Sequence, residues 1–385
     1  VRLEQVDGGE PRDVLRALRA ALGAGPAVAL GSTRTPLPAE VPPGTAVVVT
    51  TSGSTGVPKA VSLSRNALTS SAMATAARIG EGAWLLALPA AYVAGVQVLV
   101  RSLIAGREPA ILSGSFSPES FAAAARLMAS SENGVRIPTF TSLVPAQLQR
   151  VVDAAAADSG IAAALRSFEA ILVGGQSLPD ALRERAAGVG ARIVRTYGST
   201  ETSGGCVYDG VPLDGVRLQI ADGEVRIAGA VLADGYLGEP ERTDAAFPRD
   251  SERVRWYRTG DAGLIDDEGV LRIHGRIDNV IVSGGVNVSL DRVERVVRSI
   301  HGLESAVVVG VDDSRWGEAS VIVAPRGAAL RRSESEQLEQ ARVAVAAELG
   351  APARPTRLVL VDEIAHLPSG KPDREAIRRL AASLH

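Results

Sequence analysis

The sequence predicts an α/β fold: a large multi-layer α/β region first, a small β-rich stretch at about 210–275, and a small α+β domain that closes the chain. Three changes of texture predict it. Up to about Val216, short apolar runs alternate with helical patterns, the signature of a largely parallel sheet covered by helices. From Val216 to Ile273, short strands follow one another with turns between them. From near Asp278, strands and helices mix over roughly 100 residues, a length that can fold alone.

Taken in order, Val47-Val48-Val49 reads as a buried strand that feeds a glycine-rich loop. Ser64 is placed to cap a helix running to about Ile79. Trp84–Leu88 reads as a strand and Val93–Ile104 as an apolar helix. Ser117, followed by Pro118 at the first helical position, opens another helix. Ala170–Val173 is a strand ending at Gly174-Gly175, Ser177-Leu-Pro-Asp180 opens a helix, and the strand Arg192–Val194 leads to Tyr197-Gly198. Val216–Ile220, Glu224–Ala228 and Val270–Ile273 are the short strands of the β-rich stretch. In the last part, Leu290–Ile300, Ser333–Leu349 and Asp373–Leu384 read as helices, and Ala306–Val309, Val321–Ala324 and Leu358–Val361 as strands. The alanine runs Ala122–Ala125 and Ala154–Ala157 read as helix interiors.

Composition bounds the function. A chain of 385 residues suggests two or three domains. Aromatic residues make up only 3%, so Ala, Val and Leu must fill the cores. The net charge is −3 and no basic stripe carries interleaved aromatics, which argues against a nucleic-acid binder. The single Cys206 excludes an internal disulfide and cannot build a metal site alone. Apolar stretches such as Trp84–Leu88 and Val96–Val100 are too short to cross a bilayer, and the charged N-terminus has no secretory pattern. The chain therefore reads as a soluble cytoplasmic protein with no membrane insertion; self-association into a homo-oligomer is compatible with this composition.

Of the 41 basic residues only Lys59 and Lys371 are lysine. Arginine can replace lysine wherever charge alone matters, so a retained lysine points to a task for a compact ammonium on a flexible stem. Both lie in glycine-rich, proline-flanked loops of the kind that cradle anions: Thr50-Thr-Ser-Gly-Ser-Thr-Gly-Val-Pro-Lys59 and Leu367-Pro-Ser-Gly-Lys-Pro372. The first is not a Walker loop in its spacing, yet it offers hydroxyls at Thr51, Ser52, Ser54 and Thr55 and close backbone approach at Gly53 and Gly56, which suits a triphosphate. By itself it is equally an ordinary Ser/Gly linker.

The loop is followed in order by Gly174-Gly-Gln-Ser-Leu-Pro179, Tyr197-Gly-Ser-Thr-Glu201, Tyr257-Arg-Thr-Gly-Asp261, Gly275-Arg-Ile-Asp278 and Ser369-Gly-Lys371. As a set, from about Val47 to the end, the series resembles the adenylate-forming superfamily of acyl-CoA synthetases, luciferases and peptide-synthetase adenylation domains. The resemblance implies an N-terminal domain at 1–277 with the ATP and acyl sites, a hinge near Asp278, and a mobile lid domain at 278–385. It implies that Tyr197 stacks on adenine, with Gly174, Gly175 and Gly198 lying close to the nucleotide, and that Thr200 donates to the α-phosphate. It implies that Glu201 holds Mg²⁺, a hard cation suited to a carboxylate, that Asp261 accepts from the ribose hydroxyls, and that Arg276 lies near ribose and phosphate.

Lys371 is implied to be catalytic: a mobile ammonium bridges two anionic reactants as a carboxylate attacks the α-phosphate. Lys59 is implied to guide the pyrophosphate end. The structural alternatives are a core tyrosine at Tyr197, a helix-capping acid at Glu201 and a turn residue at Asp261. Cys206 lies in none of the motifs and reads as a core filler, so the acceptor thiol must come from outside, as on coenzyme A or a carrier protein. Val282-Ser-Gly-Gly-Val-Asn287 resembles the segment that lines the pantetheine tunnel, with Gly284 and Gly285 allowing close approach; its alternative is a strand-linking turn.

Two features address the acid. Only about 49 residues precede Thr50, so the N-terminal domain is expected to be abbreviated. Pro89-Ala-Ala-Tyr92 places Tyr92 where the family has histidine, and Arg101 follows in an apolar helical run. Arg101 reads either as an edge residue that snorkels to water or as a bidentate partner for a second substrate carboxylate. With Phe140-Thr-Ser-Leu-Val-Pro-Ala-Gln-Leu148, these features resemble the o-succinylbenzoate–CoA ligases of menaquinone biosynthesis in their compact actinobacterial form. The implied substrates are an aromatic dicarboxylic acid, ATP and CoA, with Thr141, Ser142, Gly198 and Ser199 joining Tyr92 and Arg101 around the acyl group. The competing readings are another aryl- or acyl-CoA ligase, a carrier-protein loader, and a nucleotide-binding regulator.

Overall fold

The run Val47–Val49 lies in the middle strand of a five-stranded sheet, ordered Leu3–Val6, Ala27–Leu30, Thr45–Thr51, Lys59–Ser64, Gly235–Tyr236. The computed structural model describes residues 1–31, 36–51, 58–128, 131–326, 333–367 and 370–384. The chain divides into two compact units: Val1–Leu178, Leu182–Gln219 and Arg226–Thr259 in the first, and Pro179–Ala181, Ile220–Val225 and Gly260–His385 in the second.

In the first unit, the first three strands of that sheet pair parallel, and each of the last two pairs antiparallel with the strand before it. A seven-stranded sheet follows the order Val211–Pro212, Gly204–Tyr208, Ile193–Ser199, Ala170–Val173, Thr139–Leu143, Ala83–Leu86, Ala110–Ile111. Its interior pairs are parallel, as the alternating pattern predicts, and the chain turns back antiparallel at Gly204–Tyr208. Helix Arg65–Ile79 starts where expected, with Ser64 Oγ accepting from Ala67 N–H. Helix Val93–Ile104 is buried continuously from Gly95 to Ser102, which explains why it is apolar on nearly all sides. A second core gathers Phe121, Leu148, Val151, Leu165, Phe168 and Ile171 beside the seven-stranded sheet. Each such side chain contributes about 1.5–3 kcal/mol by leaving water.

The second unit holds a five-stranded sheet in which Gly317–Pro325 pairs with Val280–Ser283, Val307–Asp313 and Arg357–Val361, and Val286–Ser289 closes the hairpin on Val280–Ser283. Helices Leu290–Arg298, Glu334–Leu349 and Arg374–Ser383 complete it. Helix Glu334–Leu349 opens with a reciprocal cap between Ser333 and Glu336. The chain passes from one unit to the other inside the strands Val216–Ala221, Glu224–Gly229 and Tyr257–Ile265 of the β-rich stretch.

The structure corrects one reading and adds elements where none was expected. Ala154–Ala157 is not a helix interior: the helix Pro145–Ala155 ends there, and Asp158 caps the next helix, Ser159–Ser167. The first 30 residues, unread in the sequence, form the strands Leu3–Val6 and Ala27–Leu30 around helix Pro11–Leu22. Among the described residues no helix is long and apolar enough to cross a membrane.

Candidate active site

Thr51 ends its strand directly opposite Lys59 in the antiparallel ladder, so the glycine-rich loop leaves the sheet between them. The loop residues Ser52, Gly53, Ser54, Thr55 and Gly56 lie outside the described residues. At its base, the buried Oγ1 atoms of Thr50 and Thr51 have no hydrogen-bond partner among the described residues. A buried hydroxyl left in this way favours a polar ligand that satisfies it.

Lys59 points at Glu201. Its Nζ donates to Glu201 Oε1 at 2.8 Å, and the Tyr236 hydroxyl donates to the same oxygen at 3.0 Å. The ammonium also lies 5.1 Å from the Tyr236 ring centroid. Glu201 is only 4% exposed. Burial alone would raise its pKa, but the charge and hydrogen bond of Lys59 outweigh it and hold the carboxyl below its ordinary value. Burial, with the Glu201 charge, pushes the Tyr236 phenol up, so it stays a donor.

The turn that carries Glu201 is wired tightly. Strand Ile193–Ser199 runs into a single 3₁₀ turn at Thr200–Thr202, and Ser203 follows with φ +53°. Thr202 Oγ1 accepts from Ser199 N–H at 2.8 Å and donates to the Gly204 carbonyl at 2.7 Å. The Glu201 carbonyl accepts from Ala233 N–H at 2.8 Å. Thr200 is buried beside it, Tyr197 is half-buried, and the ladder is irregular between Tyr197 and Gly198. Gly174 follows strand Ala170–Val173, where a Cβ would come within 2.9 Å of the Thr196 carbonyl, and Gly175 has φ +83°. Both positions need glycine for physical reasons.

The expected acyl residues fall in different surroundings. Tyr92 is the half-buried N-cap of helix Val93–Ile104, and burial raises its phenol pKa. Arg101 does not snorkel; it is 6% exposed. Its Nη2 donates to the Tyr208 hydroxyl at 3.3 Å, its guanidinium lies 5.0 Å from the Trp84 ring centroid, and its buried Nε has no partner. No carboxylate among the described residues pairs with it. Thr141 is fully buried and its hydroxyl donates to the Leu85 carbonyl, whereas Ser142, its strand neighbour, faces the opposite side of the sheet. The two cannot line one face together. Ser199 Oγ is buried and lies close enough to Glu201 to help hold its carboxyl below the ordinary value. Cys206 is fully buried, with its thiol pushed up to about 12 by burial, as a core filler should be.

In the second unit, Asp261 and Arg276 face each other across the ladder of Tyr257–Ile265 and Leu271–Arg276. Arg276 Nη1 donates to Asp261 at 3.3 Å, and Nε and Nη2 donate to the two oxygens of Asp278 at 2.9 and 3.0 Å. Gly284 and Gly285, with φ +58° and +81°, form the two-residue turn of the hairpin Val280–Ser289. A Cβ on Gly284 would lie 2.9 Å from the Trp316 ring. Lys371 is exposed at a turn in which its carbonyl accepts from Leu367 N–H at 2.8 Å. Just beyond, Arg374 donates to Glu294 at 2.7 Å and to the Val308 carbonyl at 2.9 Å, fixing the base of that turn to the unit's core.

Sequence reasoning missed Tyr236, Tyr208 and Trp84, because isolated aromatics in a chain that has few read as core. Among the described residues no three His, Cys, Asp or Glu side chains cluster to hold a metal ion. One carboxylate, Glu201, is still sufficient for Mg²⁺, which takes its other ligands from substrate phosphates and water.

Known proteins resemble this chain over most of its length. A family profile described as AMP-binding enzyme matches residues 7–237, and one described as AMP-binding enzyme C-terminal domain matches 292–371. A probable 2-succinylbenzoate–CoA ligase of Mycobacterium tuberculosis is 40% identical over 343 residues, covering 87% of this chain and 85% of its own. The o-succinylbenzoate CoA synthetase of Bacillus subtilis, solved with its acyl-adenylate intermediate, superposes with a TM-score of 0.71 at 25% identity, covering 87% of this chain and 69% of its own. The amide bond synthetase McbA of Marinactinospora thermotolerans gives a TM-score of 0.75 at 25% identity over 99% of this chain and 80% of its own.

Proposed function

The chain belongs to the AMP-binding enzyme family, and from that premise we propose that it is an ATP-dependent ligase that joins o-succinylbenzoate to coenzyme A, a step of menaquinone biosynthesis carried out in the cytoplasm. In the first half-reaction a substrate carboxylate oxygen attacks the α-phosphorus of ATP, the bond to the β-phosphate bridge breaks, and pyrophosphate leaves. In the second, the sulfur of CoA attacks the acyl carbon, the bond to AMP breaks, and the thiol proton passes to solvent.

The first step brings two anions together, so positioning and charge neutralisation dominate over proton transfer. Lys371 bridges attacking and leaving oxygens. Lys59 guides the pyrophosphate end, and the Thr51–Gly56 loop donates to the phosphates. Thr200 meets the α-phosphate, Tyr197 stacks on adenine against Gly174, Gly175 and Gly198, and Asp261 takes the ribose hydroxyls, with Arg276 beside it. Glu201 would hold Mg²⁺, which when bound offsets phosphate charge. The 278–385 segment turns at Asp278 so that Gly284 and Gly285 replace Lys371 and admit the pantetheine arm.

The observation that carries the substrate assignment is Arg101. A guanidinium buried without a carboxylate is costly, and a substrate with a second carboxylate supplies what this one lacks. Tyr92, Ser142 and Ser199 would complete the surroundings of the same acid. The test is pyrophosphate release from Mg-ATP with o-succinylbenzoate and with benzoate, followed by thioester formation on adding CoA. Faster release with the dicarboxylate and a CoA-dependent thioester are expected; equal release from both acids would overturn the substrate.

A further inference from the structure

Arg101 does not stand alone. Thr75 Oγ1 donates to the Ser71 carbonyl at 2.9 Å within its own helix. That uses the only hydroxyl proton of Thr75, so its 2.9 Å contact with the Tyr208 hydroxyl is made by Tyr208 donating. Tyr208 then has only lone pairs to offer Arg101, and Arg101 Nη2 donates to them at 3.3 Å. Each hydrogen bond has one permitted direction, Arg101 to Tyr208 to Thr75 to Ser71. All four residues are buried; Thr75 and Tyr208 are 1% and 2% exposed.

The relay is buried and points one way. Tyr208 sits on the strand Gly204–Tyr208, paired with Thr196, and that partner strand ends at the Tyr197–Glu201 turn. Trp84, on strand Ala83–Leu86, covers one side of the guanidinium at 5.0 Å from its ring centroid. The ring face and the carboxyl end of helix Val93–Ile104 offer partial negative charge, not a full one. The Nε atom has no partner among the described residues, and burial lowers the Arg101 pKa. The surroundings hold the guanidinium in one orientation and leave its charge unmatched.

We propose that Tyr208, anchored by Thr75, is a positioning residue that fixes the Arg101 guanidinium on Trp84 for the second carboxylate of the acid substrate, and so sets selectivity for dicarboxylates. This rests on the role given to Arg101 above and deepens it. The Tyr208 hydroxyl touches neither substrate nor reacting atoms; it acts through Arg101.

The experiment compares wild type, Tyr208→Phe, Arg101→Gln and the double variant, each with o-succinylbenzoate and with benzoate, reading KM and kcat by pyrophosphate release and folding by thermal unfolding. Tyr208→Phe keeps the ring and removes only the hydroxyl. It is expected to raise KM for the dicarboxylate about tenfold, the worth of a hydrogen bond to a charged group, with kcat and the benzoate KM within about twofold. In the Arg101→Gln background the same change is expected to add nothing, because the residue it positions is gone. Thr75→Val reads the relay from its far end and serves if Tyr208→Phe does not fold. An equal loss with both acids, or an additive effect in the double variant, would overturn the positioning role. If Arg101→Gln itself fails to separate the two acids, the Arg101 assignment falls instead. If Arg101→Gln separates them and neither Tyr208→Phe nor Thr75→Val does, only the relay is wrong.

Discussion

Lys59 donates to Glu201 at 2.8 Å across 142 residues of sequence, and the carboxylate oxygen it reaches also accepts from Tyr236. The pair is largely buried, with side-chain exposures of 19% and 6%. It joins the strand after the glycine-rich loop to the turn that follows Tyr197, so the two motifs are coupled through one oxygen.

Removing the cation should therefore cost stability in a pH-dependent way. Lys59→Met leaves Glu201 buried and unpaired, a loss of about 3 kcal/mol for a broken buried pair. Glu201 has a folded-state pKa below its ordinary value, so its contribution is present above the unfolded pKa and disappears as pH falls through the folded one. Urea unfolding in EDTA should show the full deficit at pH 7 and a smaller one below about pH 4. The same deficit at both pH values would show that Glu201 is not the group involved.

Lys371→Ala should lose adenylation by about 100-fold or more, equivalent to about 3 kcal/mol of transition-state stabilisation. Thioester formation from supplied acyl-adenylate and CoA should persist. Stopped assays of the two half-reactions separate these, and equal loss in both would contradict the assigned role.

Gly284 and Gly285 offer a paired comparison. Both have positive φ, but only Gly284 would press a new methyl group against Trp316. Gly285→Ala should cost about 1 kcal/mol from backbone strain, and Gly284→Ala about 2 or more because a clash is added. Denaturant midpoints measure the difference; identical values would mean that the Trp316 ring moves aside freely.

Cys206 should be silent toward thiol reagents. It is fully buried and its thiol is pushed up to about 12, leaving almost no thiolate at neutral pH. Iodoacetamide should label it only in denaturant, followed by intact mass; rapid labelling of the folded protein would refute its burial.

Much of the fold was legible because its elements carry local signals. Ser64 and Ser117 are N-caps in the structure as in the sequence, and Val93–Ile104 is helical over the whole expected span. Ala27–Leu30 was not legible: two of its four residues are alanine, which favours helix, and only pairing with both neighbouring strands makes it a strand. At the site, Lys59 and Glu201 each stood out within a motif, but nothing local says that they meet. Arg101 looked as much like a surface residue as a buried one, because a lone arginine in an apolar helix gives no hint of the side chain waiting opposite it. Tyr208 and Tyr236 carry no motif of their own; each gains its meaning from the charged group it touches.

The two side-chain amines of this chain sit in opposite settings, Lys371 exposed at a turn and Lys59 tucked against Glu201 and Tyr236. An acylating dye should thus mark the first long before the second, with no engineering required. Peptide mapping of that footprint would follow each loop separately as nucleotide and thiol are added, turning the scarcity of lysine into a pair of native reporters.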